Sequence, residues 1–250
     1  MQNFIMVLDT EGYSNRNVYN LGYAIINAET LEIVKTDSLA LLPALWENLK
    51  EKLKRSLDNP QNVKLSNMCL TNFEDILTDS GKKYKVIRSE NGLFKHFLRL
   101  FKMWNIKDLY AFNVAFDRGA LKRTFTEYHY NILFKNVNFH DIQTAVFYEF
   151  CYNMDYVQFC VANNYLTKKG FCQCKAETFY RFLHNDINFI EEHKALDDVI
   201  IESEMLIEVL KKNPNPKTHI TRPYLLLNEL YDKDNSETIT DLVMSYIFIE

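Results

Sequence analysis

The sequence predicts an α/β fold, a mixed sheet flanked by helices. Three observations carry that expectation: an unbroken apolar run ending in an acid at residues 4–9 (FIMVLD), strand-like segments crowded before residue 40, and alternating strand and helix patterns after residue 90. The chain has 250 residues, 47% of them hydrophobic, enough to bury one sizeable core or one domain plus an appendage. No apolar run approaches the length of a membrane-spanning helix, and MQNFIMVLDTEG meets acids too early for a signal peptide. No membrane association is therefore expected, and the location expected is cytoplasmic. Five cysteines without framework spacing fit reduced thiols, and Cys172 and Cys174 stand too close for an ordinary zinc knuckle.

Residues 4–9 read as a central strand because consecutive apolar residues need cover on both faces. Residues 21–27 (LGYAIIN) and 31–37 (LEIVKTD) flank Ala28, Glu29 and Thr30 and read as a hairpin, so three antiparallel strands open the chain. Residues 45–57 carry apolar positions at helical spacing, and the polar, mixed stretch 58–90 reads as an insertion. Ser89 is the expected N-cap of a helix over 90–104, with Leu93, Phe94, Phe97, Leu98 and Phe101 on its buried side. A fourth strand follows at 108–113, then a helix over 116–129, a short fifth strand ending at Phe139, a helix from Asp141, and helices over 174–184 and 194–212. The prolines of 213–217 (NPNPK) stop the last helix. Residues 1–212 are thus the expected domain. Residues 213–250 form a C-terminal extension, with a helix capped near Ser236, that packs on the domain or on a partner.

A net charge of −4 and a pI near 5.9 give no global attraction to phosphates. Local basic clusters exist at Lys82, Lys83, Lys85 and Arg88, at Arg118, Lys122 and Arg123, and at Lys168, Lys169 and Lys175. Each also fits an ordinary solvated face. Phosphate-binding glycine loops and dinucleotide fingerprints are absent from the sequence, which leaves motor and dehydrogenase functions without support.

Asp9 and Glu11 close the first strand two residues apart, so the strand period sends both carboxylates to one face. Two ionised carboxylates so close repel unless a divalent cation holds them charged, and hard oxygen ligands favour Mg²⁺ or Mn²⁺. Taken alone, the pair also fits a turn cap beside a solvated acid. Asp117 sits in the first turn of a helix just after the strand ending at Asn113, where α/β sheets place ligands. A plain helix N-terminus would favour the same acid. His193 precedes a long amphipathic helix that contains Asp198. Five residues turn about 140° around a helix, so His193 must reach from the preceding loop to join Asp198. An imidazole titrates near neutrality and can take a proton from water, although a solvated histidine fits the same pattern.

These segments together, Asp9-Thr10-Glu11, Asn113-Val114-Ala115-Phe116-Asp117 and His193-Lys194-Ala195-Leu196-Asp197-Asp198, resemble the DEDDh branch of the DnaQ-like 3′-to-5′ exonucleases. The likeness covers roughly residues 3–212, and Lys175–Phe182 (KAETFYRF) is similar to phage-type members. It implies a ribonuclease H-like mixed sheet of five strands flanked by helices, with the C-terminal extension outside it. It further implies Asp9, Glu11, Asp117 and Asp198 as ligands of two Mg²⁺ or Mn²⁺ ions, and His193 as general base. The five-residue spacing selects Asp198 over Asp197. Two ions about 3.5 to 4 Å apart would bracket the scissile phosphate, with Asp9 bridging.

Thr10, Gly12, Tyr13, Asn113 and Phe116 are the substrate-contact candidates. Gly12 gives backbone access and Tyr13 a base-stacking ring, although many relatives carry other residues after the acidic pair. The expected partner is nucleic acid with a free 3′ end, with DNA favoured over RNA through the phage-type likeness. RNA 3′ ends and non-catalytic binding on the same fold are the alternatives. The extension is the candidate surface for a protein partner or a dimer.

Overall fold

The structure, a computed structural model, describes residues 3–12, 17–47, 50, 54, 84–219 and 226–227. Tyr13, most of the expected helix over 45–57, residues 58–83 of the expected insertion with Lys82 and Lys83, and most of the extension with its cap at Ser236 lie outside the described residues. The chain divides into two compact units, one formed by Met1–His140 with Glu192–Ser203, the other by Asp141–Glu191 with the chain from Glu204 onward.

The first unit is built on a mixed sheet of β1 (Phe4–Gly12), β2 (Val18–Asn27), β3 (Ile33–Leu41), β4 (Lys85–Ile87), β5 (Asp108–Ala111) and β6 (Asn138–Asp141). Their order across the sheet is β4-β3-β2-β1-β5-β6. The strands β1, β2 and β3 pair antiparallel, whereas β5 runs parallel to β1 and β4 parallel to β3. Met6, Val7 and Leu8 are fully buried, as a strand between two covered faces requires. Asn27 closes the β2–β3 turn by accepting the N–H of Glu29 at 2.9 Å. The sixth strand, β4, was not expected. At three residues it has no period to read, and it lies within the polar, mixed stretch 58–90.

Helix α1 (Glu90–Trp104) starts as expected, with the Ser89 hydroxyl accepting from Gly92 N at 3.1 Å. Its buried stripe is Leu93, Phe97 and Leu100, and Leu98 is 42% exposed. The expected helix over 116–129 is two helices, α2 (Val114–Thr124) and α3 (Glu127–Phe134). Phe125 is extended, which breaks the helix, and the Thr126 hydroxyl caps α3 by accepting the His129 N–H, so a local hydroxyl starts the second helix. Phe97, Phe101, Phe125 and Phe134 pack edge-on or tilted at centroid distances of 5.6 to 6.3 Å behind the sheet.

In the second unit Asp141 caps α4 (Ile142–Val146) by accepting from Thr144 N at 3.0 Å. A π-helical turn (Phe147–Cys151) and α5 (Met154–Ala162) follow, and α6 (Ala176–His184) packs Phe179 and Phe182 against Tyr156 at 5.4 and 5.0 Å. Lys168, Lys169 and Lys175 line a cavity of about 530 Å³ together with Phe171. The long helix α7 (Ala195–Lys212) begins in the first unit. No helix among the described residues is long and apolar enough to cross a membrane.

Candidate active site

The site grows from the C-terminal end of β1. Asp9 lies opposite Gly22 and Glu11 opposite Asn20 in the β1–β2 ladder. Directly opposed residues of an antiparallel pair share a face, so the side of the sheet that receives the Asp9 carboxylate is the side on which Gly22 would carry a Cβ. The start of α7 docks on that side. A Cβ built on Gly22 would stand 2.1 Å from the carbonyl oxygen of Ala195, so the helix approaches to a distance only glycine permits. This contact brings Asp198 to Asp9. One carboxylate oxygen from each of Asp9, Glu11 and Asp198 lies within 4.8 Å of the other two.

Asp117 reaches the same place from the first turn of α2 and is 2% exposed. Its Oδ1 accepts both the N–H of Thr10 at 3.0 Å and the Thr10 hydroxyl at 2.8 Å. Thr10 is itself 3% exposed. The residue between the two acids of the first motif thus spends its donors on the third acid, an orienting role rather than an open contact. Burial, and then the charge of Asp9, hold the Asp117 carboxyl well above the usual carboxylate range, against the pull of the two Thr10 hydrogen bonds.

His193 stands in the loop before α7, exposed, with a ring nitrogen within 4.8 Å of a carboxylate oxygen of Asp198. Its backbone is left-handed (φ 54), a conformation that costs about 1–3 kcal/mol in a residue with a Cβ and that concentrates at functional sites. Asn113 is also left-handed (φ 58) where β5 turns into α2, and its side chain makes no capping bond. Phe116 is 45% exposed one residue before Asp117. Gly12 is half-buried at a bulge in the β1–β2 ladder. The structure therefore brings Asp9, Glu11, Asp117, Asp198 and His193 together around the end of β1. Asp197 is half-buried beside Asp198.

One acid in this group escaped the sequence reading. Glu202, one turn after Asp198 on α7, is 4% exposed, and its Oε2 accepts the N–H of Phe112 at 3.3 Å. Burial, and then the charges of Asp9, Asp117 and Asp198, push its carboxyl well above the usual range. The available signal was its place in the buried stripe. Ala195, Asp198, Val199, Glu202, Met205, Leu206 and Val209 are all buried, and helical spacing puts Glu202 on the Asp198 face.

The donors present fit a divalent metal. They are hard carboxylate oxygens, three of them within one coordination sphere's reach, and the mutual repulsion of buried acids is what a cation relieves.

An α/β mixed sheet with clustered carboxylates at a strand end is the class that fold and site define. Among solved structures this fold is shared with the nuclease domain of 3′hExo, a DEDDh family member bound to rAMP (TM-score 0.52, 13% identity, covering 88% of this chain and 98% of that one). A 3′-exonuclease from a structure of 3′-end-specific recognition of a histone mRNA stem-loop is similar (TM-score 0.51, 13% identity, 87% and 85% covered). So is exonuclease I (TM-score 0.50, 13% identity, 94% of this chain and 44% of that one), of which the chain spans less than half. No family model matches the sequence, and no curated protein does. The chain has the fold of the DEDDh 3′ exonucleases.

Proposed function

We propose that this protein is a divalent-metal-dependent 3′-to-5′ exonuclease that releases nucleoside monophosphates from DNA 3′ ends, single-stranded or frayed. The observation that carries the reading is the convergence of Asp9, Glu11 and Asp198 within 4.8 Å, with His193 within the same distance of Asp198. In this reading Asp9, Glu11, Asp117 and Asp198 hold two Mg²⁺ or Mn²⁺ ions. When bound, such ions supply Lewis-acid activation and neutralise charge at a phosphodiester.

The chain's own side chains do the rest. Thr10 fixes the Asp117 carboxylate by two hydrogen bonds, so that ligand enters the centre already oriented. The Gly22 contact seats α7 and sets Asp198 facing Asp9. His193, exposed on its loop, takes the proton of the attacking water and returns it to solvent. Asn113 and Phe116, both exposed beside Asp117, and Gly12, with Tyr13 next to it in sequence, are proposed to hold the terminal nucleotide. Such contacts would read backbone and ring faces, so cleavage without sequence preference is the expected outcome.

RNA is the second reading. It is favoured by the two neighbours whose structures concern rAMP and a histone mRNA stem-loop. A time course on matched 3′-labelled and 5′-labelled DNA and RNA oligonucleotides, with Mg²⁺, Mn²⁺ or chelator, tests polarity, sugar and metal together. The expected outcome is a ladder of 5′-labelled products shortened one nucleotide at a time, early loss of the 3′ label as mononucleotide, and arrest in chelator. Internal cuts, or shortening that persists in chelator, would overturn the proposal.

A further inference from the structure

Glu202 occupies a costly position. A carboxyl group taken almost wholly out of water, near three other acids, loses hydration that no surface acid gives up. What it receives is one hydrogen bond, from Phe112 N at 3.3 Å. The strand β5 ends at Ala111, so this N–H lies past the strand and goes to a side chain. Phe112 is also the residue before Asn113, whose left-handed backbone turns the chain into α2 and so aims Asp117, five residues on from Phe112.

A hydrogen bond therefore links the turn that leads into α2 with α7. Asp198 is one turn before Glu202 on α7, and Asp117 lies in the first turn of the helix that Phe112 leads into.

We propose that Glu202 is a positioning residue of the metal centre: by gripping the Phe112 N–H it ties the β5–α2 turn to α7 and sets Asp117 in register with Asp198. This rests on the exonuclease reading. The grip needs an acceptor at the end of a side chain of glutamate length, and it does not need a negative charge. Glutamine keeps the reach and the acceptor. Aspartate keeps the acid and loses a methylene of reach. Leucine keeps most of the volume and has no acceptor.

The test compares Glu202→Gln, Glu202→Asp and Glu202→Leu with the wild-type protein. Three quantities are measured: Mn²⁺ affinity by titration calorimetry, amide hydrogen exchange at Phe112 in chelator, and kcat and KM on a 5′-labelled oligonucleotide. Leucine and aspartate are expected to weaken Mn²⁺ binding on the order of tenfold or more, to speed exchange at Phe112, and to lower kcat with KM little changed. Glutamine is expected to stay within about threefold of wild type in affinity and to keep the Phe112 amide protected.

Wild-type affinity in the leucine and aspartate variants would overturn the role. So would an aspartate variant that binds normally beside a glutamine variant that does not, because charge and not reach would then be the requirement. If the wild-type protein itself bound no Mn²⁺, the exonuclease reading would fall. Exchange at Phe112 would still decide whether Glu202 holds the turn. Melting in chelator shows which variants are folded, and the glutamine arm decides the matter even if the leucine variant does not fold.

Discussion

Replacing Gly22 with alanine adds one methyl group and should disable the site while leaving the protein folded. The new Cβ would lie 2.1 Å from the Ala195 carbonyl oxygen, 2.4 Å from its carbon and 2.7 Å from the Leu196 nitrogen. All three are backbone atoms, so no side chain can swing aside. Ordinary non-bonded contact begins near 3.5 Å, which requires the start of α7 to retreat by about 1 Å or more. Overpacking of this kind costs about 1–3 kcal/mol, a fraction of the 5–15 kcal/mol that typically holds a domain together.

The effect on rate should be larger. His193 and Asp198 both ride on the displaced segment, and a misplacement of about 1 Å at a reacting centre costs on the order of 10²-fold. Kcat on a 5′-labelled oligonucleotide, measured alongside the melting temperature, separates the two effects. A melting point lowered by a few degrees with kcat down about a hundredfold is expected. A variant with lowered melting but unchanged kcat would refute the claim that the Gly22 approach is what sets α7 against Asp9.

His193→Ala should leave the melting temperature unchanged, since the side chain is exposed, and lower kcat by a factor on the order of 10² to 10⁴, as checked by single-turnover kinetics. Stability of the metal-free protein should depend on pH in a defined direction. Asp117 and Glu202 both have carboxyls raised by burial and by neighbouring acids, so between the ordinary carboxylate range and their raised values the native state holds more protons than the unfolded chain. Their contribution to stability is therefore greatest below about pH 4 and is lost as pH rises through that window. In chelator, thermal melts should show Asp117→Asn and Glu202→Gln flattening this fall. Mn²⁺ should raise the wild-type melting point more at pH 8 than at pH 5, and a shift independent of pH would contradict the reasoning.

Much of the site was legible in the sequence because it rests on local regularities. The period of two in β1 puts Asp9 and Glu11 on one face, and the five-residue step from His193 to Asp198 forces the histidine into the loop where the structure has it. The antiparallel opening was legible for the same reason, since apolar runs and a three-residue turn are local facts. What escaped depends on contacts distant in sequence. A glutamate on a helix ordinarily reads as solvated, and only the docking of α7 buries Glu202. Gly22 reads as a small strand residue until Ala195 arrives against it. The break between α2 and α3 turns on one hydroxyl, Thr126, inside an otherwise helical pattern. Leu98 shows the limit of pattern counting: the stripe of Leu93, Phe97 and Leu100 satisfies the packing of α1 and leaves Leu98 outside.

A crystal soaked in manganese and measured at its absorption edge tests the convergence of the carboxylates most directly. Two anomalous peaks about 3.5 to 4 Å apart are expected, with Asp9 between them and Glu11, Asp117 and Asp198 as the other protein ligands. Manganese bound elsewhere with these four side chains unengaged, or no manganese at all at millimolar concentration, would contradict it.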